Sequence, residues 1–153
     1  MRKYAYGISL AAVLVASAVV LAAQTDQNSP FTGTWKLNVA KSKFNPGPPP
    51  KGETVTIAPD GKVSVEEVDA EDKTVNWSFT PSGDTAVPIE GLQDATVLEK
   101  ISGNTVEHTW KIGGGNETGH GVVSKNGKTM KYTMTGTNGQ GQKVHNVAIY
   151  EKQ

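Results

Sequence analysis

The side chains best suited to chemistry sit on alternating segments in the second half of the chain. A strand running from Asn104 to Ile112 puts Val106, His108, Trp110 and Ile112 on one side, and Met130, Tyr132 and Met134 share a side two strands later. Methionine and aromatic side chains beside one imidazole and one phenol make an adaptable, mostly apolar surface with a few polar anchors. That is the composition small-molecule pockets need. Trp77 and Phe79 alternate in the same way, and alternation also turns Tyr150 inward on the final segment.

His108 and His120 flank Gly113-Gly114-Gly115-Asn116. A three-residue loop over 113–115 would set the two imidazoles opposite each other as a pair for zinc or copper, whereas a loop over 113–116 pairs His108 with Gly121 and dissolves the site. His145 falls on the other face of its strand, so no third ligand is apparent and no metal or cofactor is expected. The acidic run Glu66, Glu67, Asp69, Glu71 and Asp72 surrounds a turn and reads as a solvated face; it lacks a calcium-ligand spacing. There is no cysteine nucleophile, no Gly-x-Ser-x-Gly elbow, no helical metal motif and no glycine loop opening a helix. No catalytic residue is therefore assigned, and the chain is not expected to be an enzyme.

The elements that position these residues are strands. From Phe31 onward short alternating segments are separated by turn residues, which defines an all-β chain. Strands are expected over 31–38, 52–58, 62–69, 73–80, 85–89, 93–101, 104–112, 117–125, 128–136 and 142–151. The segment at 85–89 holds Pro88 and suits an edge or a bulge. Asn45-Pro46-Gly47-Pro48-Pro49-Pro50 contains four residues without an amide donor and is expected as an extended connector. Nine or ten strands in sequential hairpins leave two exposed edges unless the sheet closes. An antiparallel up-and-down β-barrel is the economical solution, with a two-sheet sandwich as the rival.

Residues 1–23 read separately. Arg2 and Lys3 precede an apolar run from Ile8 to Ala23 that ends in small residues, the pattern of a secretory signal peptide cleaved after Ala23. A short segment, 24–30, then leads to one barrel domain at 31–153. The protein is thus expected to be exported, to the periplasm or beyond the cell, with no stable membrane anchor after cleavage. Without cysteine there is neither a disulfide framework nor a lipid-anchor site. Losing Arg2 and Lys3 leaves 13 of the 15 basic residues against 15 acidic, a net charge of about −2, so nucleic acid is not an expected partner. Arg2 is the sole arginine, so the mature chain has no guanidinium fork for carboxylate or phosphate.

Two stretches bracket the barrel domain. Gly33-Thr34-Trp35-Lys36-Leu37 resembles the opening strand of fatty-acid-binding proteins, and Gly-x-Trp is also the lipocalin signature. Tyr150-Glu151-Lys152 resembles the end of a fatty-acid-binding protein, and Gly127-Lys128-Thr129-Met130 the hairpin before it. Thr34 to Asn38 followed by Ala40-Lys41-Ser42-Lys43-Phe44 is similar to exported bacterial lipocalin-like proteins. The resemblance implies a calycin barrel in which Trp35 plugs the closed end and Tyr150 faces inward. It departs from the family at Ala148, where fatty-acid-binding proteins carry the arginine of a carboxylate clamp. The proline-rich connector stands where those proteins have a helical lid. The lipocalin disulfides and their strand-end arginine over the tryptophan are also missing.

Together these features lead to an exported lipocalin-like barrel holding a small hydrophobic or amphipathic ligand, contacted by Trp77, Phe79, His108, Trp110, Met130, Tyr132, Met134 and Tyr150. Plain core filling is the competing expectation for the same side chains, because small barrels are often packed solid. It goes with a protein-interaction or inhibitor module. A barrel isomerase or cyclase using His108 and a tyrosine is the third reading.

Overall fold

The computed structural model describes residues 29–153. The signal peptide expected over 1–23 and most of segment 24–30 lie outside the described residues. Ten strands follow: β1 (Gly33–Leu37), β2 (Gly52–Ile57), β3 (Val63–Val68), β4 (Thr74–Phe79), β5 (Val87–Pro88), β6 (Ala95–Ser102), β7 (Thr105–Ile112), β8 (Gly115–Val123), β9 (Thr129–Thr137) and β10 (Lys143–Lys152). The one helical element among the described residues is a single 3-10 turn, Val39–Lys41, capped by the Asn38 side chain.

All neighbours are antiparallel, and β1 pairs with both β2 and β10, so the sheet runs β4-β3-β2-β1-β10-β9-β8-β7-β6-β5. Its two edges meet just past β5. Ser78 N donates to Glu90 O (3.0 Å), Glu90 N donates to Ser78 O (2.8 Å), and Ser78 Oγ donates to Glu90 Oε2 (3.0 Å). Gly91 makes this approach possible, since its φ is +89° and a Cβ there would lie 2.3 Å from Asn76 O. The sheet is thereby a nearly closed barrel, and the sandwich is excluded.

Strand order follows the alternation, while β1, β5 and β6 each start two residues later than expected and β8 departs in an informative way. β8 begins at Gly115, two residues earlier than its side-chain pattern suggests, because Gly113 and Gly114 both take positive φ (+53° and +85°) and make a two-residue hairpin turn. Neither longer loop forms. His108 pairs with Gly119 and His120 with Glu107, so the imidazoles occupy opposite faces and the facing-histidine site does not exist.

Apolar packing divides into two clusters. One gathers Phe31, Trp35, Leu37, Val106, Val123 and Met130; the other gathers Val63, Val65, Phe79, Ile89, Val97 and Trp110. Trp35 is fully buried and its Nε1 donates to Phe31 O at 2.7 Å. Lys152 Nζ lies 5.0 Å from the centre of that indole and donates to Pro30 O at 3.3 Å. The cation over the tryptophan is therefore present, supplied by lysine in place of the missing arginine.

Candidate functional site

Inward alternation brings side chains from seven of the ten strands, all but β1, β5 and β8, to a central cavity of about 1070 Å³. The eight residues expected at the ligand all line it: Trp77 and Phe79 from β4, His108 and Trp110 from β7, Met130, Tyr132 and Met134 from β9, and Tyr150 from β10. Four of them, Phe79, Trp110, Met130 and Tyr150, also belong to the two buried clusters, so the same side chains serve the core and line the cavity. Trp35 does not line the cavity; it packs in the cluster that also holds Met130 and Tyr150. Phe44, Pro46, Pro48 and Pro50 of the proline-rich connector add atoms to the cavity wall.

The aromatic side chains of the cavity touch one another. Trp77 meets Trp110 edge-on at 5.9 Å, Phe79 meets Trp110 edge-on at 5.8 Å, and Trp77 stacks on Phe79 at 6.3 Å between centroids. This cluster is built by the pairing of β3 with β4, which sets Trp77 opposite Val65 and Phe79 opposite Val63.

A polar chain crosses the wall made by β6, β7 and β9. Trp110 Nε1 donates to Tyr132 Oη at 2.8 Å, Tyr132 Oη lies 3.0 Å from His108 Nδ1, and His108 Nε2 lies 2.9 Å from Glu99 Oε2. With the imidazole neutral, one orientation satisfies every member: the phenol donates to Nδ1, and the proton on Nε2 goes to the carboxylate. The His108 and Glu99 side chains are only 10% and 11% exposed, so these bonds are shielded from competing water. Burial holds the Tyr132 phenol protonated well above its ordinary range. Gly119 makes room for this arrangement, because a Cβ at that position would sit 1.7 Å from Tyr132 Oη.

A second polar group lies on the wall made by β2 and β3. Glu53 and Glu67 are register partners and both line the cavity. Tyr150 Oη donates to Glu53 Oε1 at 2.6 Å. Burial, reinforced by the neighbouring Glu67, raises the Glu53 carboxyl from its ordinary 4.5 to about 7. Burial raises Glu67 as well, and Tyr150 is pushed far above the usual phenol range by burial and by Glu53.

Glu53, Glu67 and Glu99 are the residues that reading the sequence missed. Glu67 in particular does not belong to the solvated face assigned to Glu66, Asp69, Glu71 and Asp72. The signal was present in the alternation, since Glu53 is in phase with Val55 and Ile57, Glu67 with Val63 and Val65, and Glu99 with Val97. His120 and His145 face outward, and no group of three metal-ligating side chains occurs among the described residues.

Closed antiparallel topology, a hollow interior and inward aromatic side chains define a calycin-type barrel. The solved structures it is similar to include fatty-acid-binding protein 1 of Echinococcus granulosus, at 18% identity and TM-score 0.55 over 80% of this chain and 97% of that one. They also include the Schistosoma mansoni fatty acid binding protein in complex with arachidonic acid, at 18% identity and TM-score 0.53 over 82% and 97%. The fluorescent protein UnaG is similar too, at 18% identity and TM-score 0.52 over 80% and 97%. At such identities the likeness is one of fold. No protein-family model and no curated protein matches the sequence.

Proposed function

We propose that this protein is a carrier that holds a small hydrophobic or amphipathic molecule inside the barrel. The observation that supports it most is the cavity of about 1070 Å³, large enough for a lipid-sized guest. Affinity comes mainly from apolar contact with the aromatic and methionine walls, at ~25 cal/mol per Å² removed from water. The polar groups on the two carboxylate walls orient the guest. The Schistosoma mansoni structure of the same fold, which holds arachidonic acid, is consistent with this use of the interior.

The reading includes export, resting on Arg2, Lys3 and the apolar run to Ala23. Native mass spectrometry of protein purified from its own compartment tests both parts. The expected result is a chain beginning at Gln24 that retains a small-molecule mass. A clean ligand-free mass, with no change in tryptophan fluorescence across a panel of lipids, overturns the carrier reading.

The Glu99–His108–Tyr132 chain meets the geometric condition for the second reading, a barrel isomerase or cyclase. Its members nevertheless satisfy one another. The phenol proton goes to His108 and the imidazole proton to Glu99, so no proton is left aimed at a guest. A cavity of this size favours the carrier over a solid-core interaction module.

A further inference from the structure

We propose, building on the carrier reading, that the cavity selects guests whose polar end is a cation, an alkylammonium or quaternary ammonium group seated between Glu53, Glu67 and the aromatic cluster. The cavity is lined by Glu53, Asp60, Glu67 and Glu99, with neither lysine nor arginine among its lining residues. Glu99 already has His108 as its partner. Glu53 and Glu67 have none of that kind: among the described residues no ion pair reaches either, and the hydroxyl of Tyr150 is the one side-chain donor given to Glu53.

Two carboxyls facing each other across β2 and β3 are costly to leave unbalanced. In a shielded interior they resist ionising together, and below about neutral pH a proton stays on the pair. The raised Glu53 carboxyl is consistent with that state. An entering ammonium replaces the proton and meets two acceptors at once, giving charge-assisted hydrogen bonds. Trp77 is diagonal to Glu67 on the adjoining strand, since Val65 pairs with Trp77 and Glu67 with Val75. The aromatic cluster thus starts one pair away from the acids and supplies ring faces that attract cations. A carboxylate guest meets the opposite field. Ala148, in place of an arginine on the last strand, lines the same cavity and offers it nothing.

The test compares three guests of one chain length, dodecylammonium, dodecanol and dodecanoate, each below its micelle concentration, titrated into the purified protein at about pH 8. Trp77 and Trp110 fluorescence reports occupancy. Dodecylammonium is expected to bind roughly tenfold or more tighter than dodecanol, as a charge-assisted bond to a shielded carboxylate implies, with dodecanoate weakest. Glu67→Gln and Glu53→Gln should each bring the amine-to-alcohol ratio close to one while dodecanol affinity stays. Glu66→Gln removes the same charge from the exposed outer face of β3 and should leave the ratio unchanged. Circular dichroism establishes that each variant folds; if Glu53→Gln fails, Glu67→Gln carries the test.

Equal binding of the three guests, tightest binding of dodecanoate, or an amine preference that survives Glu67→Gln overturns the proposed selectivity and leaves the carrier reading standing. Failure of all three to bind overturns both.

Discussion

On the β6–β7 wall Glu99 accepts a hydrogen bond from a histidine that is itself fixed by a tyrosine and a tryptophan, whereas on the β2–β3 wall Glu53 confronts a second glutamate. The same side chain is a satisfied end of a chain in one place and an unbalanced charge in the other. Burial alone does not set the behaviour of an inward carboxylate; its partner does. The comparison implies that removing the charge has opposite signs on the two walls.

The largest effect is expected at Glu53. Its folded carboxyl titrates at about 7, above the ordinary 4.5, so the folded state holds the proton more tightly than the unfolded one. The stabilising contribution of that proton is full below about pH 4.5 and is lost as pH rises through about 7. At ~1.4 kcal/mol per unit the loss is on the order of 3–4 kcal/mol. Glu53→Gln should therefore match the parent near the acid end and exceed its stability at about pH 8, by urea denaturation. Equal pH slopes in parent and variant would remove one side of the comparison.

Glu99→Ala should do the reverse. It leaves His108 Nε2 shielded and without an acceptor, a loss of roughly 2 kcal/mol for an unsatisfied buried donor. The same urea experiment at about pH 8 reads it, and a neutral or stabilising result would mean that the two walls are alike after all.

Gly119→Ala probes the support beneath the satisfied wall. Its new methyl group would occupy the position of Tyr132 Oη, so the phenol must leave His108 and Trp110. The expected cost is roughly 1–2 kcal/mol, in the lower part of the range for overpacking. A shift in tryptophan emission should accompany it, because Trp110 loses its hydrogen-bond partner.

The contrast between the walls explains which parts of the molecule were legible beforehand. Strand positions were, because Trp77, Phe79, His108, Trp110 and Tyr132 announce their faces through strict alternation. The closure was also foreseeable, since ten hairpin-linked strands have few ways to cover their edges. The carboxylates were not: a glutamate is solvent-facing by default, and the run around Glu67 is charged enough to hide the phase it shares with Val63 and Val65. Nor does alternation report how far apart opposite walls stand, so core and cavity lining looked the same. His108 faced an added difficulty, because a shift of one residue in the glycine turn changes its cross-strand partner. Only the backbone conformations of Gly113 and Gly114 resolve it.

The packed end around Trp35 meets the acidic wall through Tyr150, and this gives the smallest effect its value. Lys152 holds its ammonium group over a fully buried indole and donates to Pro30 O. Lys152→Met keeps much of the aliphatic stem while removing the charge, so the expected cost is only ~0.5–1 kcal/mol for a partly exposed cation–π contact. The pH slope set by Glu53 and the guest preference set by Glu53 and Glu67 should both persist, because the Lys152 ammonium contacts the indole and Pro30 O, and the bond by which Tyr150 of the same cluster reaches Glu53 does not involve it. Urea denaturation at acid and mildly alkaline pH, paired with the dodecylammonium titration, measures all three quantities. A changed guest preference in Lys152→Met would show that the closed end and the acidic wall act as one electrostatic unit, and the division between a structural end and a recognising wall would then have to be abandoned.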